Sequence, residues 1–398
     1  MAGRPKVVAG VDTHADTMHV SVLTLLGRKL ADKEFRTDAR GYWDAIRFMT
    51  SQGSVQAVGV EGTSSYGAGL AKALITAGIT VIEVNRPDGA ARRRLGKSDP
   101  LDAELAARAV LSENATSAPK DPGIEAIRAL FNARRSAVKA RTAAMNQMTS
   151  MLVTAPEPVR AKYRSLKEKS LVTALASCRP GGDDPIAAAV LTALRTLAKR
   201  HRFLTDQADE LESQLDVLVT AANPALRAAF GVGPGTAAQL LITAGGNPER
   251  LGSEASFAAL CGAAPVQASS GKTNKHRLSR GGDRGGNSAL HRIALVRMSN
   301  HPRTKDYVAR QVKLNKSKAA ILRMLKRAIA REVLRLLTNE IPVAEYGDLR
   351  PARQAKNITL TAVAEIFDVW PNIISKLERG LYRNDAMADQ YREWLTAA

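Results

Sequence analysis

The 398-residue chain has only two cysteines, Cys178 and Cys261, far apart and outside any CxxC pair or Cys/His cluster. That excludes a disulfide scaffold and argues against a structural zinc site. Aromatic residues make up only 4% of the chain, too few to suggest a platform on which bases stack. There is no uninterrupted apolar run of about 18 residues, which excludes a membrane-spanning helix, and no membrane partner is expected. The N-terminus, MAGRPKVVAG, has no apolar stretch before a cleavage site, so the expected compartment is the cytoplasm.

Positive charge is abundant. There are 58 Lys and Arg against 38 Asp and Glu, a formal charge of +20. Between residues 265 and 340, 18 Lys and Arg face four acids, a local balance of +14. A field of that sign recruits polyanions, phosphate backbones first among them. The chain is 45% hydrophobic, enough to build two or three packed domains.

The first ~115 residues alternate between short apolar runs and helical patterns. Val7–Val11, Met18–Leu25 and Lys29–Phe35 read as a strand meander turning at Gly27. A helix over Gly41–Thr50, a strand over Val55–Val60, a helix over Tyr66–Ala77 and a strand over Thr80–Val84 follow. This β-β-β-α-β-α-β order predicts an α/β domain with a mixed sheet. Asp12 and Glu61 end two of its strands, where polar groups at the carboxyl ends of parallel neighbours converge. Asp99 and Asp102 stand three apart at the start of a predicted helix, Pro100–Val110, and so share one face. Four carboxylates of this kind can hold magnesium, a hard cation that takes oxygen ligands, and paired ions can clamp both oxygens of a phosphodiester. The bland alternative is that Asp99 caps the helix and Asp102 favours its dipole with no metal.

Ile124–Val153 reads as one long helix, and SCRPGGDDP (Ser177–Pro185) breaks the chain. Leu194, Ala198, His201, Leu204, Ala208, Leu211, Leu215 and Leu218 then recur at steps of three and four, the spacing of a coiled coil. It reads equally as a hairpin folded on itself or as a dimerisation arm. GVGPG, with Gly231 and Gly233, followed by a helix matches the hairpin of a helix-hairpin-helix element, where backbone N–H groups approach a phosphate; an ordinary glycine-rich turn is the alternative. The segment Cys261–Asn287 is rich in glycine and cations. Within it, Ser269 or Ser270 could attack a phosphodiester while Lys272, Lys275, His276 and Arg277 steady the charge. Alternatively, this is a flexible loop whose cations, Arg280 and Arg284 included, only hold phosphates.

The motifs GVDTHAD at Gly10, VEGTSSYG at Val60, VNRPDGAARRRLGKSDPLDAELAA at Val84, GVGPGT at Gly231 and CGAAPVQASSGK…LSRGGDRGGN at Cys261 occur in the order seen in a known family. Over roughly Val7–Leu337 the chain resembles the DEDD-type insertion-sequence transposases of family one-ten, the bridge-RNA-guided recombinases. The resemblance implies a RuvC-like domain of ribonuclease H fold over 1–118, a helical coiled-coil linker over 119–222 and a mainly α transposase domain over 223–345. It implies that Asp12, Glu61, Asp99 and Asp102 bind Mg2+ and that Ser270, before Gly271 and after Pro265, is the nucleophile, with Ser269 the neighbouring choice. It also implies donor and target DNA, an element-encoded guide RNA that supplies specificity by pairing, a homodimer assembling to a tetramer, and a bacterial, nucleoid-associated location.

Residues 346–398 lie outside that pattern. ITLTAVAEIFDVWPNIISKLERG resembles a phage-repressor helix-turn-helix, with helices over Leu360–Phe367 and Pro371–Arg379, a small core of Val363, Ile366, Val369, Ile374 and Leu377, and Asn372, Ser375 and Lys376 facing a groove. A module that contacts protein rather than DNA is the alternative. Two other functions fit less of the chain: a magnesium-dependent RuvC-like nuclease or resolvase in which water attacks, and a non-catalytic helix-turn-helix regulator.

Overall fold

The computed structural model describes residues 4–63, 65–84, 98–112, 121–181, 183–245, 251–267, 276–278, 281–380 and 382–397. The chain divides into two compact units, Met1–Glu125 and Ala126–Ala398. Among the described residues no helix is long and apolar enough to cross a membrane.

The first unit is a mixed five-stranded sheet of β1 (Lys6–Thr13), β2 (Thr17–Thr24), β3 (Lys29–Arg36), β4 (Ser54–Glu61) and β5 (Val81–Val84), ordered β3-β2-β1-β4-β5. β1 runs antiparallel to β2 and parallel to β4, and β5 is parallel to β4, as the strand–helix order predicts. Side chains along a strand alternate between faces. Val7, Ala9 and Val11 of β1, with Val58 and Val60 of β4, join the core that also contains Ala45, Ile46 and Met49 of α1 (Ala39–Gln52) and Leu70 and Leu74 of α2 (Ala68–Thr76).

The other face carries α3 (Asp99–Leu111), seated on the in-register pair Gly10 and Gly59. A Cβ on Gly10 would lie 2.2 Å from the carbonyl oxygen of Ala103 and the nitrogen of Ala107, and one on Gly59 would lie 2.7 Å from the carbonyl oxygen of Ala106. The helix backbone therefore rests directly on the strands. Farther back, Val8 and Leu23 pack with Ala107, Val110 and Leu111, so rising helix numbers meet falling β1 numbers and α3 runs antiparallel to β1. The helix begins at Asp99 with Ser98 at the N-cap and no side-chain cap hydrogen bond, so the N-cap reading of Asp99 is incorrect.

In the second unit, α4 (Pro122–Thr154) and α7 (Pro185–Ala222) lie antiparallel. Met148 and Leu152 share a core with Leu194 and Ala198, and Ala137 shares one with Leu204 and Ala208. The apolar spacing of α7 is thus satisfied within the chain. Its last buried position is Val219, with Leu218 only half-buried, one residue off the expected repeat. From Arg128 to Arg141 α4 carries five cations and no acid, while α7 carries five acids and no cation from Asp206 to Asp216. The antiparallel pairing sets these stretches side by side, and Arg134 meets Glu212 at 2.9 Å. Between the two helices, α5 (Glu157–Tyr163) and α6 (Glu168–Ser177) add Val159, Tyr163, Leu171 and Leu175 to the core.

Beyond α7 come α8 (Pro224–Ala228), α9 (Pro234–Ala244), α10 (Glu254–Leu260), the two-stranded ladder β6 (Pro265–Gln267) with β7 (His276–Leu278), α11 (Arg284–Asn300), α12 (Pro302–Lys313) and α13 (Lys318–Thr338). Cys261 is fully buried, and desolvation, with the nearby Asp283 charge adding to it, pushes its thiol up to about 12. It stays a protonated structural thiol at neutral pH.

The last four helices are α14 (Leu349–Ala355), α15 (Leu360–Ile366), α16 (Pro371–Glu378) and α17 (Asp385–Ala397). They enclose Val363, Ile374, Leu377 and Tyr391, and a buried ion pair joins Arg353 to Glu378 at 2.6 Å. Val363, Ile374 and Leu377 take the expected core places and Val369 packs against them, but Ile366 is 57% exposed and is no core residue.

The substitution Gly10→Ala forces α3 off β1 and destabilises the first unit by about 1–3 kcal/mol. Gly347→Ala, where the added methyl meets nothing within 4 Å, changes stability by less than about 0.5 kcal/mol. Denaturant midpoints of the two variants compared with the parent check this.

Candidate functional site

The glycine-floored face also organises the carboxylates. Alternation puts Asp12 with Val8 and Gly10 on the α3 side of β1, and Glu61 with Ala57 and Gly59 on the α3 side of β4. Two strand residues beyond Gly10 is a step of about 6.7 Å. On α3, the residues over the glycines are Ala103, Ala106, Ala107 and Val110. One turn earlier on that stripe stand Asp99 and Asp102, a step of about 6 Å for four residues. Because the helix is antiparallel to β1, both steps lead the same way, and Asp12 of the strand and Asp99 of the helix come together past the end of the glycine floor.

Asp12 is 6% exposed and Asp102 1%, while Asp99 and Glu61 are half-buried. The strand ends are tied together by the Thr13 hydroxyl, which donates to the Glu61 carbonyl at 2.9 Å. Gly62 follows with φ of +71°, and a Cβ there would lie 2.7 Å from the Ser65 hydroxyl oxygen.

Sequence reasoning missed His14. Its Nε2 lies 3.2 Å from Asp12 Oδ2 and 3.3 Å from Asp99 Oδ1. Ligand atoms of Asp12, His14 and Asp99 all fall within 4.8 Å of one another. The available signal was the GVDTHAD motif itself, which places an imidazole two residues after the first acid. Two carboxylate oxygens and one imidazole nitrogen, converging from β1, the β1–β2 turn and the start of α3, form a donor set suited to a divalent cation.

The serine segment lies between β6 and β7, which pair from Pro265↔Leu278 to Gln267↔His276. Ser269, Ser270, Lys272, Lys275 and Arg280 lie outside the described residues. The flanks of this segment are firmly held. The Asn287 side-chain amide donates to the carbonyls of Cys261 and Gly262 at 2.8 and 3.0 Å. Its oxygen in turn accepts from the buried Lys326 ammonium at 2.8 Å, whose pKa burial lowers from the ordinary lysine value. On the far flank, the Asp283 amide donates to the Leu260 carbonyl, and the Asp283 carboxylate accepts from Thr243 and from the Gly285 amide. Both ends of the segment are therefore fixed at the N-terminus of α11. Arg277 and Arg284 are exposed.

The GVGPG hairpin joins α8 to α9 as the sequence predicts. Gly231 adopts φ of +79° and Gly233 occupies the N-cap of α9 with open space beside it. Arg227 donates to the Val232 carbonyl and Arg297 to the Phe230 carbonyl, at 3.2 and 2.8 Å. Beyond α11, the exposed residues Arg303, Lys305, Arg310, Lys313, Lys316 and Lys318 make no ion pair among the described residues. Asp306 is the one acid within that span. On α16, Asn372 and Lys376 are exposed and Ser375 is half-buried.

Residues 9–155, which hold all four acids and His14, match the family profile of the DEDD-type transposases of insertion sequence IS110. Residues 223–309, which hold the GVGPG hairpin and the serine segment, match the family described as "Transposase IS116/IS110/IS902 family". No curated protein matches the chain. The matched segments together span more than half of the chain, and the segments, their order and the residues they contain agree: the protein is a transposase of the IS110 family.

Proposed function

We propose that this transposase cuts and rejoins DNA through a serine-linked intermediate at a magnesium centre held by Asp12, Glu61, Asp99 and Asp102, with an element-encoded RNA choosing the sites. The observation that carries this reading is the convergence of Asp12 and Asp99 past the glycine floor, in a chain whose transposase segment is strongly basic. When bound, the metal supplies charge neutralisation at a phosphodiester.

The chain's own residues do the rest. The Ser270 hydroxyl displaces a deoxyribose oxygen at phosphorus. One P–O ester bond forms as another breaks, and the proton lost by the serine is matched by the one gained at the departing hydroxyl. The ester count is unchanged, so resealing is the same exchange in reverse and needs no external energy source.

Phosphate backbones of DNA and RNA would lie along Arg277, Arg284 and the cationic face of α12, with the Gly231 and Gly233 hairpin offering backbone N–H groups. Pairing to RNA would then carry the sequence information, in keeping with a surface of many cations and few aromatics. The α4–α7 hairpin is the coiled-coil linker of this scheme, and dimers assembling to a tetramer would bring serine and acids together. α15 and α16, joined by a short turn at Asp368 with φ of +48°, would form a helix-turn-helix that presents Asn372, Ser375 and Lys376 to an element end.

Asp12→Asn and Ser270→Ala are each expected to abolish recombination while leaving DNA binding within about threefold of the parent. On a denaturing gel, labelled DNA should migrate with the parent protein and with Ser269→Ala but not with Ser270→Ala. Free cut DNA with no adduct in any of them would instead mean hydrolysis by water. Replacing Arg303, Lys305, Arg310 and Lys313 with glutamine should weaken binding of every DNA sequence alike. It should also lower the slope of log affinity against log salt by roughly 0.9 for each duplex phosphate that the protein no longer neutralises. An unchanged slope would remove α12 from the interface.

A further inference from the structure

The metal centre contains a nitrogen donor that an all-carboxylate site does not need. His14 Nε2 is buried and makes no hydrogen bond among the described residues, although the ring as a whole is 46% exposed. Its distances of 3.2 and 3.3 Å to Asp12 Oδ2 and Asp99 Oδ1 are close to the spacing of neighbouring ligands around one octahedral ion, about 3 Å for bonds near 2.1 Å. The residue is also set in place by its backbone. Its amide donates to the Thr17 carbonyl at 2.9 Å, and its carbonyl accepts from the Thr37 hydroxyl at 3.0 Å. The turn between β1 and β2 therefore delivers the imidazole to the cluster on a fixed frame.

We propose that His14 is a direct ligand of the divalent ion and biases this centre toward manganese over magnesium. The inference rests on the metal-centre reading above and extends it. Magnesium favours oxygen donors and gives up its water reluctantly, whereas first-row transition ions accept imidazole readily. Carboxylates alone would leave the choice to availability. One well-placed nitrogen adds affinity for manganese and little for magnesium. A histidine that merely bridged the two aspartates would do something different: its loss would weaken both ions together, by loosening Asp12 and Asp99 equally.

The test is Mn2+ and Mg2+ binding to the full-length protein by titration calorimetry, with pulsed electron paramagnetic resonance of the Mn2+-loaded sample. The parent is expected to bind Mn2+ more tightly than Mg2+ and to show nitrogen coupling from a bound imidazole. His14→Ala should lose that coupling and about tenfold or more of its Mn2+ affinity, with Mg2+ affinity changed less than about threefold. Mn2+ bound in the parent without nitrogen coupling, or Mn2+ and Mg2+ affinities falling in parallel in His14→Ala, overturns the role of His14 while leaving the metal centre standing. A parent that binds neither ion overturns the metal centre as well. Because the coupling is read on the parent, the result does not depend on how well the variant folds.

Discussion

Gly10 and Gly59 face each other across the parallel β1–β4 ladder, and the site depends on neither having a side chain. The missing Cβ atoms let the backbone of α3 lie on the strands, and that packing sets where its first turn falls. Asp12 and Glu61 emerge on the same face because they sit an even number of residues beyond the glycines. Asp99 comes to Asp12 because it occupies the helical stripe one turn before the alanines. A helix held farther from the sheet by ordinary side chains would carry its acids away from the strand ends. The chemistry is therefore positioned by the close backbone packing of α3 on β1 and β4.

The second unit solves a different problem, that of folding a strongly basic chain. Part of the charge is neutralised internally, where Arg134 of α4 meets Glu212 of α7 and where Arg297 pairs with Glu332 at 2.6 Å. Arg353 and Glu378 form a buried pair that also accepts the Tyr391 hydroxyl; it fixes α14, α16 and α17 against one another, and removing one partner would leave a buried charge. Among the described residues, cations without an ion pair gather on α12 and the turn after it, the form expected of a surface that tracks phosphates. Internal pairing supports the fold, and the unpaired remainder supports binding.

The sheet was legible in the sequence because most of its strands are short apolar runs punctuated by Gly27, Asp12 and Glu61, and its mixed character followed from where helices intervene. The placement of Asp12 and Glu61 at the ends of neighbouring parallel strands followed from the same pattern. The role of Gly10 and Gly59 was not legible, since a glycine in a strand gives no hint of which helix it admits. His14 was hidden for a related reason: its partner Asp99 is 85 positions away, and only the antiparallel seating of α3 joins them. The spacing in α7 left the partner helix open, and its location in α4 became clear only from the packing of Ala137, Met148 and Leu152. Ile366 fits the apolar period and is nevertheless exposed, because α15 ends there and the chain turns away through Asp368.

Asp12 of the strand and Asp99 of the helix, with His14, form one metal centre in this scheme, at the end of the glycine floor. The most direct measurement is an anomalous-diffraction map from crystals of the protein soaked in Mn2+. A peak bounded by Asp12, His14 and Asp99 is expected, absent from crystals of Asp12→Asn. A metal peak elsewhere with none at these residues would contradict it.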